Sequence, residues 1–203
     1  MKSSHSIAQS PIKVVISALS LASAFLAFSL ITFPAQAGSD SMPSETAAAP
    51  AGGPDSVAFA HNLWHALEKK GLVGKGAIMA TPYEGLEPHG LILETLDSKI
   101  SLGARTGTVI VKRNYGPPGT TPEQVVNNPS AYLDAITVMF KREAGYDPEN
   151  KDWFWAKYLP DGTLDKNPKG VKLAGRVMKG ADKGCIACHA GAPGDDMVFN
   201  RDR

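Results

Sequence analysis

Two cysteines are all that the 203 residues contain, and no second pair exists to complete a four-thiol zinc site. Charge of one sign is also lacking, since 21 basic residues stand against 20 acidic ones. A chain so balanced carries no electrostatic footprint for nucleic acid or for an anionic membrane surface. No acidic residue occurs before Asp40, and Lys2 and Lys13 are the only Lys or Arg in residues 1–37. Beyond that stretch the balance tips slightly negative. No apolar run long enough to span a bilayer follows it, and no internal repeat is evident.

What the N-terminal segment does have is a largely apolar run over residues 14–33, then Ala35-Gln36-Ala37 before Gly38. A basic start, an apolar core and an A-x-A site describe a secretory signal peptide over residues 1–37, hence an exported, periplasmic protein. The run is longer than the usual core of about 7–15 residues, so an uncleaved anchor is the alternative. Residues 38–54 are rich in Ser, Pro, Ala and Gly without an apolar period, which reads as a flexible linker. Residues 55–203 then form a single domain.

Within that domain the periodicity changes once. Asp55 or Ser56 can cap a helix whose Val57, Ala60, Leu63, Trp64 and Leu67 share one face, with Gly71 stopping it. Residues 90–96, 107–115, 131–142 and 152–159 are rich in branched or aromatic side chains and bounded by turn formers, as strands are. Residues 121–128 read as a short helix or a loop. Residues 173–179 read as a short helix ahead of the two cysteines.

Those cysteines stand in Cys185-Ile186-Ala187-Cys188-His189. A C-x-x-C-H run attaches c-type haem: the thiols add to the vinyl groups and the adjacent imidazole is placed to ligate the iron. A thioredoxin-like pair would sit in a βαβ setting, whereas a Gly- and Pro-containing loop follows here. A disulfide across two residues would close a small, strained ring. Cys185 and Cys188 are thus read as the covalent anchors of one haem c, and His189 as the axial iron ligand.

The position of the motif narrows the architecture. A small electron-carrier cytochrome has its motif early and takes a methionine ligand from a later loop. Here only a short tail holding Met197 follows. Four-helix cytochromes do place the motif late, but the strand-like runs do not suit a bundle. The expected class is α+β: a mainly antiparallel β-sheet with an N-terminal helix and a short C-terminal helical haem-attachment segment.

The ending from Cys185 through Asp195, Asp196, Val198 and Phe199, the Asp152-Trp153-Phe154 strand and the Gly107-Thr108-Val109-Ile110-Val111-Lys112 strand together resemble the cytochrome P-460 family. The resemblance covers roughly residues 80–200. It implies an antiparallel β fold, usually dimeric, with one haem whose open side binds hydroxylamine or nitric oxide, and with a redox partner protein. It also implies that Lys112 can be covalently joined to the haem edge. On residue chemistry alone Lys112 is a strand-end lysine reaching to water, on the face of Thr108 and Ile110. Hydroxylamine-oxidising members are thought to carry a distal carboxylate on the strand before the Trp-containing one. Thr137 stands at that place here, with Asp134 and Glu143 several positions away. A related branch, the beta-type cytochromes c prime, lacks the cross-link and binds nitric oxide in an apolar pocket, for which Phe140, Met139 and Phe154 are candidates.

The other candidates are weaker in kind. His61 and His65 lie four apart on the first helix, a spacing that can share a metal or simply face solvent. His89, in Glu87-Pro88-His89-Gly90, is a distal or structural residue near a strand start. Met178 and Met197 are alternative sixth ligands of the iron.

Overall fold

The structure is a computed structural model and describes residues 51–199. The leader and most of the linker lie outside the described residues. Helix α1 (Pro54–Lys69) opens the described part. Its cap is Gly53, with Pro54 in the first turn and Asp55 beside it, so the expected cap at Asp55 or Ser56 is displaced by proline. A proline at the first helical position loses no intrahelical N–H bond and brings a φ already suited to the helix. The buried face comprises Ser56, Phe59, Ala60, Leu63, Trp64 and Leu67. Phe59 therefore takes the place that the periodicity gave to Val57.

The sheet has six strands in the order of the chain, every neighbouring pair antiparallel. They are β1 (Tyr83–Glu84), β2 (Ile92–Leu102), β3 (Arg105–Tyr115), β4 (Leu133–Lys141), β5 (Trp153–Tyr158) and β6 (Ala174–Gly175). The expected mainly antiparallel α+β class is the observed one. Helices α2 (Pro122–Asn127) and α3 (Pro129–Tyr132) bridge β3 and β4, and α4 (Cys185–His189) follows β6. A capping box starts α2: Thr121 Oγ1 accepts from Gln124 N while Gln124 Oε1 accepts from Thr121 N. The helix expected over 173–179 is absent; β6 and turns occupy that segment. Ala174 and Gly175 complete the edge of the sheet against Ala156 and Trp155 instead.

Side chains alternate across a strand, so β3, β4 and β5 each feed two faces. Val109, Val111, Val138, Phe140, Phe154 and Ala156 join the α1 side chains in one buried cluster. Phe59 sits with ring centroids 4.6 Å from Phe154 and 5.8 Å from Phe140. Gly107 makes that packing possible, because a Cβ there would lie 2.4 Å from the Lys141 carbonyl and 2.6 Å from the Phe140 ring. Trp64 and Tyr158 pair at 5.0 Å, and the Tyr158 hydroxyl donates to the Ala60 carbonyl at 2.8 Å. Desolvation pushes the Tyr158 phenol well above its ordinary range.

One polar cluster belongs to this interior. Glu94 is fully buried and accepts from Ala80 N at 2.6 Å, from Arg113 Nη1 at 3.2 Å and from the Tyr115 hydroxyl. Arg113 Nη2 donates to the Leu72 carbonyl at 2.9 Å, tying the exit of α1 to the sheet. A buried carboxylate with this many donors is satisfied rather than poised for chemistry. Among the described residues no helix is long and apolar enough to cross a membrane.

Candidate haem site

The second face of the same strands carries different chemistry. Opposed residues across β3, β4 and β5 form two rows: Ile110–Met139–Trp155, then Lys112–Thr137–Lys157. The first row is buried and continues into a cluster with Trp153, Val177, Ile186 and Met197. Ile186 is therefore the residue that seats α4 on the sheet, with His189 buried one turn on, Cys185 half-buried and Cys188 exposed. Gly184, with φ +119°, lets the chain enter α4 where a Cβ would meet Met178 at 2.6 Å.

A cavity of about 190 Å³ lies between α4 and the two rows. Cys185, Cys188 and His189 line it together with Lys112, Thr137, Met139, Trp155, Lys157 and His89. Sites that bury a whole ligand run to about 300–1,000 Å³, so this space by itself would take only part of a macrocycle. Both thiols are free. Burial pushes the Cys185 thiol up, the opposite of what an activated redox cysteine needs, which disfavours the thioredoxin-like alternative.

His189 is buried, and its Nδ1 is hydrogen-bonded to the Met197 carbonyl at 2.7 Å. A carbonyl can only accept, so Nδ1 carries the proton and Nε2 is left as the basic nitrogen. A backbone carbonyl on the far nitrogen is the usual support of a metal-bound imidazole. Burial also holds the His189 pKa below its ordinary value, keeping the ring neutral as a ligand must be. The chain around Met197 is itself fastened. Trp153 Nε1 donates to the Asp196 carbonyl at 2.9 Å, Lys141 Nζ meets Asp196 Oδ1 at 2.9 Å, and Lys151 Nζ meets Asp195 Oδ1 at 2.9 Å. Asp195 and Met197 take φ of 55° and 58°, the left-handed turns that bring the carbonyl round.

Lys112 is half-buried and forms no ion pair among the described residues. Desolvation lowers its pKa, partly offset by the nearby Cys188 and Asp97. Lys157, in the same row, is neutralised by Asp165 at 2.9 Å. His89 enters the cavity from the turn between β1 and β2, its Nδ1 3.3 Å from Thr137 Oγ1. Burial above all, with Lys112 and His189 nearby, drives its pKa down to about 4.

Several sequence expectations resolve here. Lys112, Thr137 and Met139 do line the cavity, but Phe140 and Phe154 do not: alternation sends both to the α1 side. Thr137 stands directly opposite Lys112, and no carboxylate is among the described residues lining the cavity. Asp134 lines a different cavity, and Glu143 pairs with Arg142 and Arg105. His61 and His65 sit on the exposed face of α1, where His65 pairs with Glu68. Met178 and Met197 do not line the cavity. Trp155 was not singled out from the sequence, yet its ring lies 4.8 Å from that of His189. Period-two alternation from Lys157 would have put it on the site face.

These groups suit a covalently held haem: two free thiols three apart on one helix, a neutral imidazole with Nε2 left over, and, without partners among the described residues, the Lys112 amine and the buried Trp155 Nε1. A bare ion would need three or four protein ligands, and no group of three or more His, Cys, Asp or Glu side chains among the described residues could hold one. No curated protein and no solved structure matches the chain. The family model for cytochrome P460 does match, over residues 95–200, a span running from β2 through α4 to the Met197 turn. With that span covering more than half of the sequence and every element of the site but His89, the chain belongs to the cytochrome P460 family, whose members hold haem c covalently.

Proposed function

We propose that this cytochrome binds nitric oxide at a single haem c, with Cys185 and Cys188 as the thioether anchors and His189 as the proximal ligand. The observation that carries this reading is the lining of the cavity, where the apolar Ile110, Met139 and Trp155 stand and no carboxylate is found among the described residues. Oxidising hydroxylamine requires protons to leave along with electrons, and that wants a base of suitable strength within reach. His89, held near pKa 4, is neutral in the working range but a poor proton acceptor. Binding nitric oxide needs no proton transfer. When bound, the haem supplies an iron that takes small nitrogen ligands and exchanges electrons. The chain's own residues hold the ring, fix the His189 tautomer through Met197, and keep one side of the cavity apolar.

Hydroxylamine oxidation is the second reading, and Lys112 favours it. Its amine lines the cavity with Cys188, where a bond to the haem edge would distort the ring and retune the iron. Its lowered pKa leaves more of the amine in the nucleophilic, uncharged form than an exposed lysine has. Export to the periplasm and a redox partner complete the proposal, the first resting on the leader and the second on the need of the hydroxylamine reading for a protein that carries the released electrons away.

One pair of measurements tests it. Haem-loaded protein is titrated with nitric oxide in an optical cell, then assayed with hydroxylamine and an artificial electron acceptor. We expect a stoichiometric nitrosyl spectrum and hydroxylamine turnover at background. Sustained turnover, with Lys112 recovered joined to the haem peptide after digestion, would reverse the order of the two readings.

A further inference from the structure

Further along the face that carries the haem site lies a larger cavity that the attachment of a ring does not explain. Beyond Ile110–Met139–Trp155 and Lys112–Thr137–Lys157, the next opposed pair on that face is Asn114–Ala135. Tyr115 then pairs with Leu133, so Asp134 is an extra residue on β4 with no opposite on β3. A bulge of this kind re-aims the side chain it carries. The cavity holds about 490 Å³ between the end of β3, the start of β4 and the turn joining β1 to β2. That volume is in the range that takes up a whole small molecule, about 300–1,000 Å³. His89, whose ring lies 6.0 Å from that of His189, stands in the wall shared with the smaller cavity.

The chemistry of this lining is one-sided. Asn114 is only 3 % exposed, and its Oδ1 is buried with no hydrogen-bond partner among the described residues. A buried amide oxygen in that state costs free energy until a donor reaches it. Asp134 and Glu87 add two carboxylates. The lysine of the lining, Lys157, is already paired with Asp165 at 2.9 Å, and the Tyr115 hydroxyl is taken by Glu94. His89, held near pKa 4, brings no positive charge at neutral pH. Acceptors are therefore in surplus. A haem edge placed here would set its own carboxylates against Asp134 and Glu87. The remaining walls are apolar, with Leu91, Tyr132 and Leu133 offering hydrocarbon surface.

We propose that this cavity is a second small-molecule site, for a primary ammonium compound with a hydrocarbon body. The ammonium group donates to Asn114 Oδ1 and to the Asp134 carboxylate, and the body lies against Leu91, Tyr132 and Leu133. A cation with several N–H donors is what the surplus of acceptors selects, and the apolar walls select against a bare ammonium ion. The proposal goes beyond the haem reading and does not rest on it. Because Pro88, His89 and Lys157 wall both cavities, an occupant here touches residues that also line the haem site.

The test is a calorimetric titration of the intact haem-loaded protein with benzylammonium chloride, cyanide being present to occupy the iron so that an iron-bound amine is not counted. We expect saturable binding at one site. Benzoate, with the same ring and the opposite charge, should give no heat. Asn114→Leu removes the buried acceptor with little change of shape and should weaken binding about tenfold, the loss of one hydrogen bond to a charged group. Asp134→Asn alters an exposed residue and keeps the assay readable should the first variant not fold. It should weaken binding by a similar factor at low salt and by less at high salt. No saturable heat with benzylammonium would overturn the proposal, and so would benzoate binding equally well. Wild-type affinity in every variant that folds would put the amine elsewhere and overturn it too.

Discussion

Strands β3, β4 and β5 present two faces that differ in what they finish. Toward α1, Val111, Val138, Ala156 and the rings of Phe140 and Phe154 close on Phe59 with almost no exposure. Toward α4, the intervening residues Ile110, Lys112, Thr137, Met139, Trp155 and Lys157 leave a cavity, a cation and a buried indole N–H that have no partner among the described residues. One face is complete in the polypeptide alone. The other has donors, thiols and imidazoles that only another molecule can satisfy. Unsatisfied polar groups next to a cavity are costly to keep, and a fold that retains them beside a fully packed core is holding a place for a ligand.

The contrast can be broken hardest on the α1 side. Phe154→Ala removes a wholly buried ring in contact with Phe59 and should cost about 3–5 kcal/mol. Urea unfolding of the haem-free protein measures this, and a loss under about 1 kcal/mol would mean that the core is far looser than described.

A change on the α4 side should act with the opposite sign. Lys112→Met replaces a half-buried, unpaired ammonium by an apolar chain of similar length, and the haem-free protein should gain about 1 kcal/mol near neutral pH. The lowered pKa of Lys112 sets the pH dependence. Between that depressed value and 10.5 the unfolded chain binds a proton that the folded chain does not, so wild-type stability rises with pH across this window. The advantage of the variant is therefore full at neutral pH and shrinks as 10.5 is approached. An advantage constant over the whole range would show that packing, not charge, is responsible.

Thr137→Val sharpens the comparison most gently. It deletes the 3.3 Å hydrogen bond to His89 while keeping the shape, and should cost the haem-free protein about 0.5–1 kcal/mol. Paired unfolding curves that superimpose would show that His89 does not depend on Thr137.

Much of this arrangement was legible before any coordinates. The strands announced themselves through branched residues between turn formers, and alternation already set Lys112 beside Ile110. The C-x-x-C-H run named the candidate haem anchors and the candidate iron ligand by residue type alone. What escaped was whatever depends on contacts remote in sequence. The segment before Cys185 has the composition of a short helix, but the open edge of β5 recruits Ala174 and Gly175 as a strand. Phe140 and Phe154 read equally well as pocket or core until the placement of α1 decides. His89 and His189 are separated by most of the sheet, and no local pattern states that their rings meet.

The acceptor that orients His189 is a main-chain carbonyl, and this shapes how the protein can vary. A residue at position 197 that accepts a positive φ and fills the same buried space still offers the same oxygen, so such a substitution leaves the imidazole aligned. Inserting or deleting a residue between His189 and Met197 would move the carbonyl out of reach whatever side chains surround it. Length is thus the stricter constraint on this turn, and variation in loop length is where loss of His189 alignment would first be found.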